Sequence, residues 1–140
     1  MAKTIATLLG VAFILVGLVG FISPGFLGAH LSTTHNLVHL ISGAVSLYIG
    51  LKGTLAGART FCLVFGAVYG LLGVAGFLLG GSGQHSIPGL THDGSDTRLL
   101  TVLNGSLELA SVDHIIHILL GIVYLAGGLL TRADGHRGRD

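Results

Sequence analysis

Uncharged, mostly apolar stretches occupy residues 5–22, 34–51, 61–81 and 114–130, and the polar residues gather between them and at the ends of the chain. An α-helix needs about 20 such residues to cross the hydrocarbon of a bilayer. The pattern therefore predicts four transmembrane helices in one all-α membrane bundle covering residues 1–132. Residues 52–60 read as a short turn, residues 23–33 as a short connection and residues 82–113 as a long one. The long connection opens on turn-forming chemistry, Gly-Ser-Gly-Gln-His-Ser-Ile-Pro-Gly. Leu99, Leu103 and Leu107 then recur every four residues, which predicts an amphipathic surface helix over about residues 97–110. Residues 133–140 are polar and contain glycine, and predict a disordered tail.

Composition decides the solvent. Of 140 residues, 51% are hydrophobic and only 9% charged, at a mean hydropathy of +0.84. A soluble domain of this size has no core large enough to bury so much apolar surface, so lipid must solvate most of the chain. A net charge of +1 supplies no field for nucleic acid, and that class of partner is excluded. The expected partners are the lipid bilayer and, through helix packing, further copies of the chain or the subunits of a larger membrane complex. The lone Cys62 forms no intrachain disulfide and reads as a small buried residue. Lys3 ahead of an apolar run imitates a secretory signal, but the run is longer than a typical signal core and stands as the first helix.

With the N-terminus inside, Lys3, Lys52, Arg59, Arg132, Arg137 and Arg139 all fall on the cytoplasmic side, and only Arg98 lies opposite. This predicts a multi-pass cell-membrane protein with both termini cytoplasmic. Asp93, Asp96, Glu108, Asp113 and seven of the eight histidines then lie on or near the outer side. Any chemistry faces outward.

An internal repeat emerges from the glycines. Gly10, Gly17, Gly20 and Phe21 recur with identical spacing as Gly66, Gly73, Gly76 and Phe77, and His39 and Gly43 correspond to His117 and Gly121. A duplicated helical hairpin is expected, its copies related by an axis along the membrane normal, as a parallel repeat. His39 and His117 would then face each other at equal depth. The small-residue spacings Gly66/Gly70, Gly76/Gly80 and Ser42/Ser46/Gly50 allow close helix approach.

His35 and His39 are four apart, His114 and His117 three apart, and Asp113 precedes His117 by four, so each set lies along one helix face. At 1.5 Å per residue, His39 is about 20 Å from Lys52 and His117 about 22 Å from Arg132, against roughly 30 Å of hydrocarbon. Both histidines should sit below the outer lipid boundary, where ionisable groups point into the bundle and mark function. Three uses suit them. A transition metal such as zinc, copper or iron would take His35, His39, His114 and His117, with Asp113 as ligand or orienting partner. A haem-like macrocycle would take His39 and His117 axially, with Gly43 and Gly121 leaving room for the ring. A proton or polar-solute path would use His39, His117 and Asp113. Opposed to all three is a purely structural role, in which these residues cap helix starts and bond to neighbouring helices or headgroups. His30, His85 and His92 read as solvated loop residues and His136 as an inert part of the tail. The chain holds no HExxH, CxxC or Walker loop, and no nucleophile beside a base, so no catalytic residue and no enzyme class is assigned.

These motifs resemble a family of small four-span bacterial membrane proteins known as domain of unknown function 4383. The likeness lies in Leu-Leu-Gly-Val-Ala-Phe-Ile-Leu-Val-Gly-Leu-Val-Gly-Phe followed by Pro24-Gly25, in His35-Asn36-Leu37-Val38-His39 with Gly43, and in Asp113-His114-Ile115-Ile116-His117 with Gly121. The last of these is similar to the Asp-Asn-x-x-His opening of the family's final span, with His114 standing in place of Asn. The second hairpin also has the longer outer connection, the reverse of the family's expected arrangement. The resemblance implies the fold and the membrane location, carries no activity, and draws attention to His39, Asp113 and His117. The leading expectation is a non-enzymatic membrane protein with a histidine-rich outer site for a metal or haem-like cofactor. An accessory subunit without a site of its own is the second, and an oligomeric transporter the third.

Overall fold

The computed structural model describes residues 1–86 and 95–132. Helices α1 (Ala2–Gly20), α2 (Thr33–Lys52), α3 (Leu55–Leu79) and α4 (Ser111–Leu130) coincide with the four apolar stretches, and a 3-10 turn (Phe26–Gly28) joins α1 to α2. All four helices start ahead of the predicted positions, and hydroxyls cap two of those starts. Ser32 Oγ accepts from the His35 N–H at 3.2 Å, and Thr54 Oγ1 accepts from the Gly57 N–H at 3.0 Å. Helices α1, α3 and α4 are long and apolar enough to cross a membrane. Helix α2 is as long as α4, but His35, Asn36, His39 and Ser46 lower its apolar character.

The packing inverts the pattern of a soluble protein. The buried face of α1 is Ala2, Ala6, Gly10, Phe13, Gly17 and Gly20, whereas Leu8, Val11, Leu15 and Leu18 are exposed. Small residues inside and large apolar ones outside suit a bundle that packs by close contact rather than by exclusion of water. Helix α1 lies chiefly on α2, and α3 on α4. A Cβ placed on Gly10 would stand 2.6 Å from the Leu47 backbone nitrogen, and one on Gly66 would stand 2.7 Å from that of Leu125. The chain's two ends meet, since the Ala2 N–H donates to Thr131 Oγ1 at 2.7 Å. Arg59 Nε donates to the Gly128 carbonyl at 3.2 Å, placing a cation at the C-terminal end of α4 where the helix dipole favours it.

The expected surface helix over residues 97–110 is absent. A three-stranded antiparallel sheet, β1 (Gly81–Gln84), β2 (Ser95–Leu103) and β3 (Leu107–Leu109), occupies this region in the order β1-β2-β3. A leucine every fourth residue satisfies a period of two as well as one of 3.6, so the leucine pattern alone does not separate helix from strand. Thr97, Thr101 and Val102 favour the strand, and Asn104-Gly105 supplies the hairpin turn, with Gly105 at φ 69° and the Ser106 N–H donating to the Leu103 carbonyl at 3.0 Å. The turn is fastened to the start of α2, because Ser32 Oγ donates to the Ser106 carbonyl at 2.7 Å and the Thr34 and Ser106 hydroxyls bond at 2.5 Å. The sheet thus covers the end of the bundle that carries the histidines. His92 and Asp93, and the tail expected at residues 133–140 with His136, lie outside the described residues.

Candidate metal centre

Capping by Ser32 starts α2 so that His35 and His39, one turn apart, share its buried face. Helix α4 brings His117 to them. One ring nitrogen from each of His35, His39 and His117 lies within 4.8 Å of the other two. The rings of His35 and His39 are 4.4 Å apart between centroids, and those of His35 and His117 5.9 Å. Below them, Phe13 meets His39 edge-on at 5.4 Å and Tyr69 lies 5.5 Å from His117. The hydroxyls deeper in the bundle satisfy one another. Ser46 Oγ donates to the Ala6 carbonyl at 2.8 Å and so receives the Tyr124 hydroxyl proton at 2.7 Å, and the Tyr69 hydroxyl donates to Ser42 Oγ at 3.3 Å.

The hydrogen bonds at the histidines are incomplete in an informative way. His35 Nδ1 lies 2.6 Å from the His30 carbonyl, which can only accept, so Nδ1 carries the proton and Nε2 presents a lone pair. His39 is buried with both ring nitrogens unpartnered, and His117 Nδ1 is unpartnered too. A buried polar atom left without a bond costs about 1–3 kcal/mol. Three nitrogens within 4.8 Å of one another can close on an ion at about 2.0–2.1 Å by each moving less than about 1 Å.

The trio stands between two apolar cavities. One, of about 170 Å³, is bounded by Phe13, Leu27, Asp113 and Leu120 as well as the three histidines. The other, of about 240 Å³, is bounded by Tyr69, Val102 and Leu109 and the same histidines. Both volumes fall below the roughly 300–1,000 Å³ of pockets that enclose drug-sized ligands. With His35 within 4.8 Å of both other ligand atoms, no flat gap remains between His39 and His117 for a macrocycle. The arrangement fits a single ion with a coordination position left open towards a cavity.

Asp113 and His114 do not join the trio. Asp113 accepts from the Ala110 N–H at 2.8 Å and, through both carboxylate oxygens, from the His30 N–H at 3.1 and 3.2 Å. It fixes the segment whose carbonyl fixes His35, which is an orienting role. We expect Asp113→Ala to strand two buried N–H groups and lower stability by about 2–4 kcal/mol, with a 10–100-fold loss of metal affinity. Asp113→Asn keeps an acceptor and should lose less on both counts, as melting and metal titration in detergent would read. His114 Nε2 bonds to the Arg98 carbonyl at 2.7 Å, and its ring packs on Gly76 and, at 5.3 Å, on Phe77. Asn36, at the matching place on α2, packs likewise on Gly20. His114 fills an interhelix space and is no ligand of this centre.

His30 and His85, expected to be solvated, are drawn in. His30 is 2% exposed and its ring centroid lies 3.6 Å from that of His85. The apolar neighbours Ala29 and Leu31, both buried, were the available signal. Burial, reinforced by the His85 imidazole and opposed by Glu108 and Asp96, pushes His30 from 6.5 down to about 4. A folded value below the unfolded one means that the unfolded chain binds more protons between them. The resulting stability is present above about pH 6.5 and is lost as pH falls through about 4. Melting of metal-free protein across this window should show that decline, and His30→Gln should make it shallower.

Comparison of the chain with family models, with characterised proteins and with solved structures gives no match.

Proposed function

We propose that this is a four-span cell-membrane protein that holds a transition-metal ion, with zinc the first choice, on His35, His39 and His117. One observation carries the reading: His39 is buried between two other imidazoles with neither ring nitrogen partnered. A shared cation satisfies all three lone pairs at once, which a single water with two protons to donate does not, and three imidazoles with an open position suit zinc or copper.

The membrane arrangement rests on charge and exposure. Lys3, Lys52, Arg59 and Arg132 lie at the helix ends opposite the histidines, as a cytoplasmic face requires. Helix α2 is taken as the fourth span because its polar residues face inward, while Leu37, Val38, Ile41, Val45 and Leu51 are exposed to the surroundings. The matched glycine approaches of α1 to α2 and α3 to α4 are what a duplicated hairpin predicts. The resemblance to the four-span family agrees with this plan. An accessory subunit would turn its closest small-residue faces outward, yet Gly10, Gly43, Gly66 and Gly121 meet partners within the chain. A solute path is disfavoured by the hydroxyls below the histidines, which bond to one another or to backbone.

Protein isolated in mild detergent from its native membrane, examined by elemental analysis and optical spectroscopy, tests the proposal. One tightly held transition-metal ion per chain, resistant to dialysis, is expected. A colourless, metal-free preparation that also refuses added zinc would refute it, and a Soret band would replace the ion by a haem.

A further inference from the structure

A second cluster stands outside the helices at the same end of the molecule. His30 comes from the connection between α1 and α2, His85 follows β1, and Glu108 lies on β3. One ligand atom from each lies within 4.8 Å of the other two. His30 is 2% and Glu108 1% exposed. His30 Nδ1 and His85 Nδ1 are buried and unpartnered. Glu108 accepts from the Ser86 N–H at 3.1 Å and from the Ser86 hydroxyl, so its carboxylate is held in place. Among the described residues, no lysine or arginine pairs with it. A buried carboxylate without a cation, facing two imidazoles without partners, is an electrostatically incomplete arrangement.

We propose that His30, His85 and Glu108 form a second metal site, one that takes a divalent transition ion. Two imidazoles and one carboxylate are the donor set of zinc sites that keep a water ligand and of non-haem iron(II) sites with open positions. The cation neutralises Glu108 and uses the free nitrogen lone pairs, and Ser86 orients the carboxylate from behind. His85 is only partly buried, so this site exchanges its ion with solvent more readily than the trio does. The two sites share a backbone hinge. The His30 carbonyl accepts from His35 of the inner trio and its N–H donates to Asp113, while its imidazole belongs to the outer cluster. The repeat register that aligns His39 with His117 also aligns His30 with Glu108, so each hairpin copy contributes to the outer site. This assignment does not depend on the inner site being occupied.

Full-length protein in detergent, equilibrated with Zn²⁺ alone against a weak competing chelator and then analysed for zinc per chain, tests it. Two ions are expected for the natural sequence and one each for His85→Ala and Glu108→Gln. The second variant retains the acceptor for Ser86 and guards against loss of fold. His39→Ala should also retain one ion, and His39→Ala combined with Glu108→Gln none. A natural chain that binds one ion, lost in His39→Ala but kept in both outer variants, would overturn the second site and leave the inner one standing. One ion lost only in the outer variants would support this site and remove the inner one.

Discussion

His39→Ala is expected to fold, to insert into membranes and to melt within about 1 kcal/mol of the natural protein, while its affinity for zinc at the inner site falls by more than 100-fold. The two halves of this expectation have separate causes. Truncation leaves a cavity, which destabilises, but it also removes two buried nitrogens that lack partners in the metal-free state, which offsets that loss. Affinity falls further than the 10–100-fold typical of orienting residues because a bond to the ion itself is lost. A purely structural histidine would behave in the opposite way, with stability falling and metal content unchanged. Parallel zinc titration and thermal melting of His39→Ala and His117→Ala in detergent distinguish the two roles.

The largest effect on the fold is expected from Gly121→Ala. The new Cβ would stand 2.6 Å from the Gly70 backbone nitrogen, 2.7 Å from its Cα and 2.9 Å from the Gly66 carbonyl oxygen. Each neighbour is backbone, so no side-chain rotation relieves the contact and α3 must move away from α4. A forced shift of this kind costs about 3 kcal/mol or more, equivalent to roughly 10 °C in melting temperature. His117 lies one turn away on α4, so metal retention should fall as well. Gly81→Ala is the control, because nothing lies within 4 Å of its Cβ position and its melting should not change. If Gly121→Ala melted with the natural chain, the close α3–α4 approach would be wrong.

The helices were legible because apolar runs of spanning length have few alternative fates, but two of their starts were not, because the capping hydroxyls of Ser32 and Thr54 lie ahead of the apolar runs. His35 and His39 could be read from their helical spacing, and His117 from the expected hairpin repeat, which predicted that it would face His39. His114 could not, for a residue three before His117 sits at the margin of that face. Its fate depended on the space beside Gly76, a tertiary fact. Its alignment with Asn36, which packs on Gly20 in the same way, was the sequence clue to a packing role. The strands were misread because evenly spaced leucines are ambiguous and the Asn104-Gly105 turn went unweighted. The outer cluster was missed for a related reason. Its three members come from separate connections, and only the docking of the sheet against the start of α2 brings Glu108 to His30.

X-ray absorption at the zinc edge, on protein loaded with one equivalent of zinc and carrying Glu108→Gln to silence the outer cluster, tests the central claim most directly. Three imidazole nitrogens at about 2.0–2.1 Å, with at most one further light ligand, are predicted. A first shell dominated by oxygen, with fewer than two imidazoles, would contradict a metal centre on His35, His39 and His117.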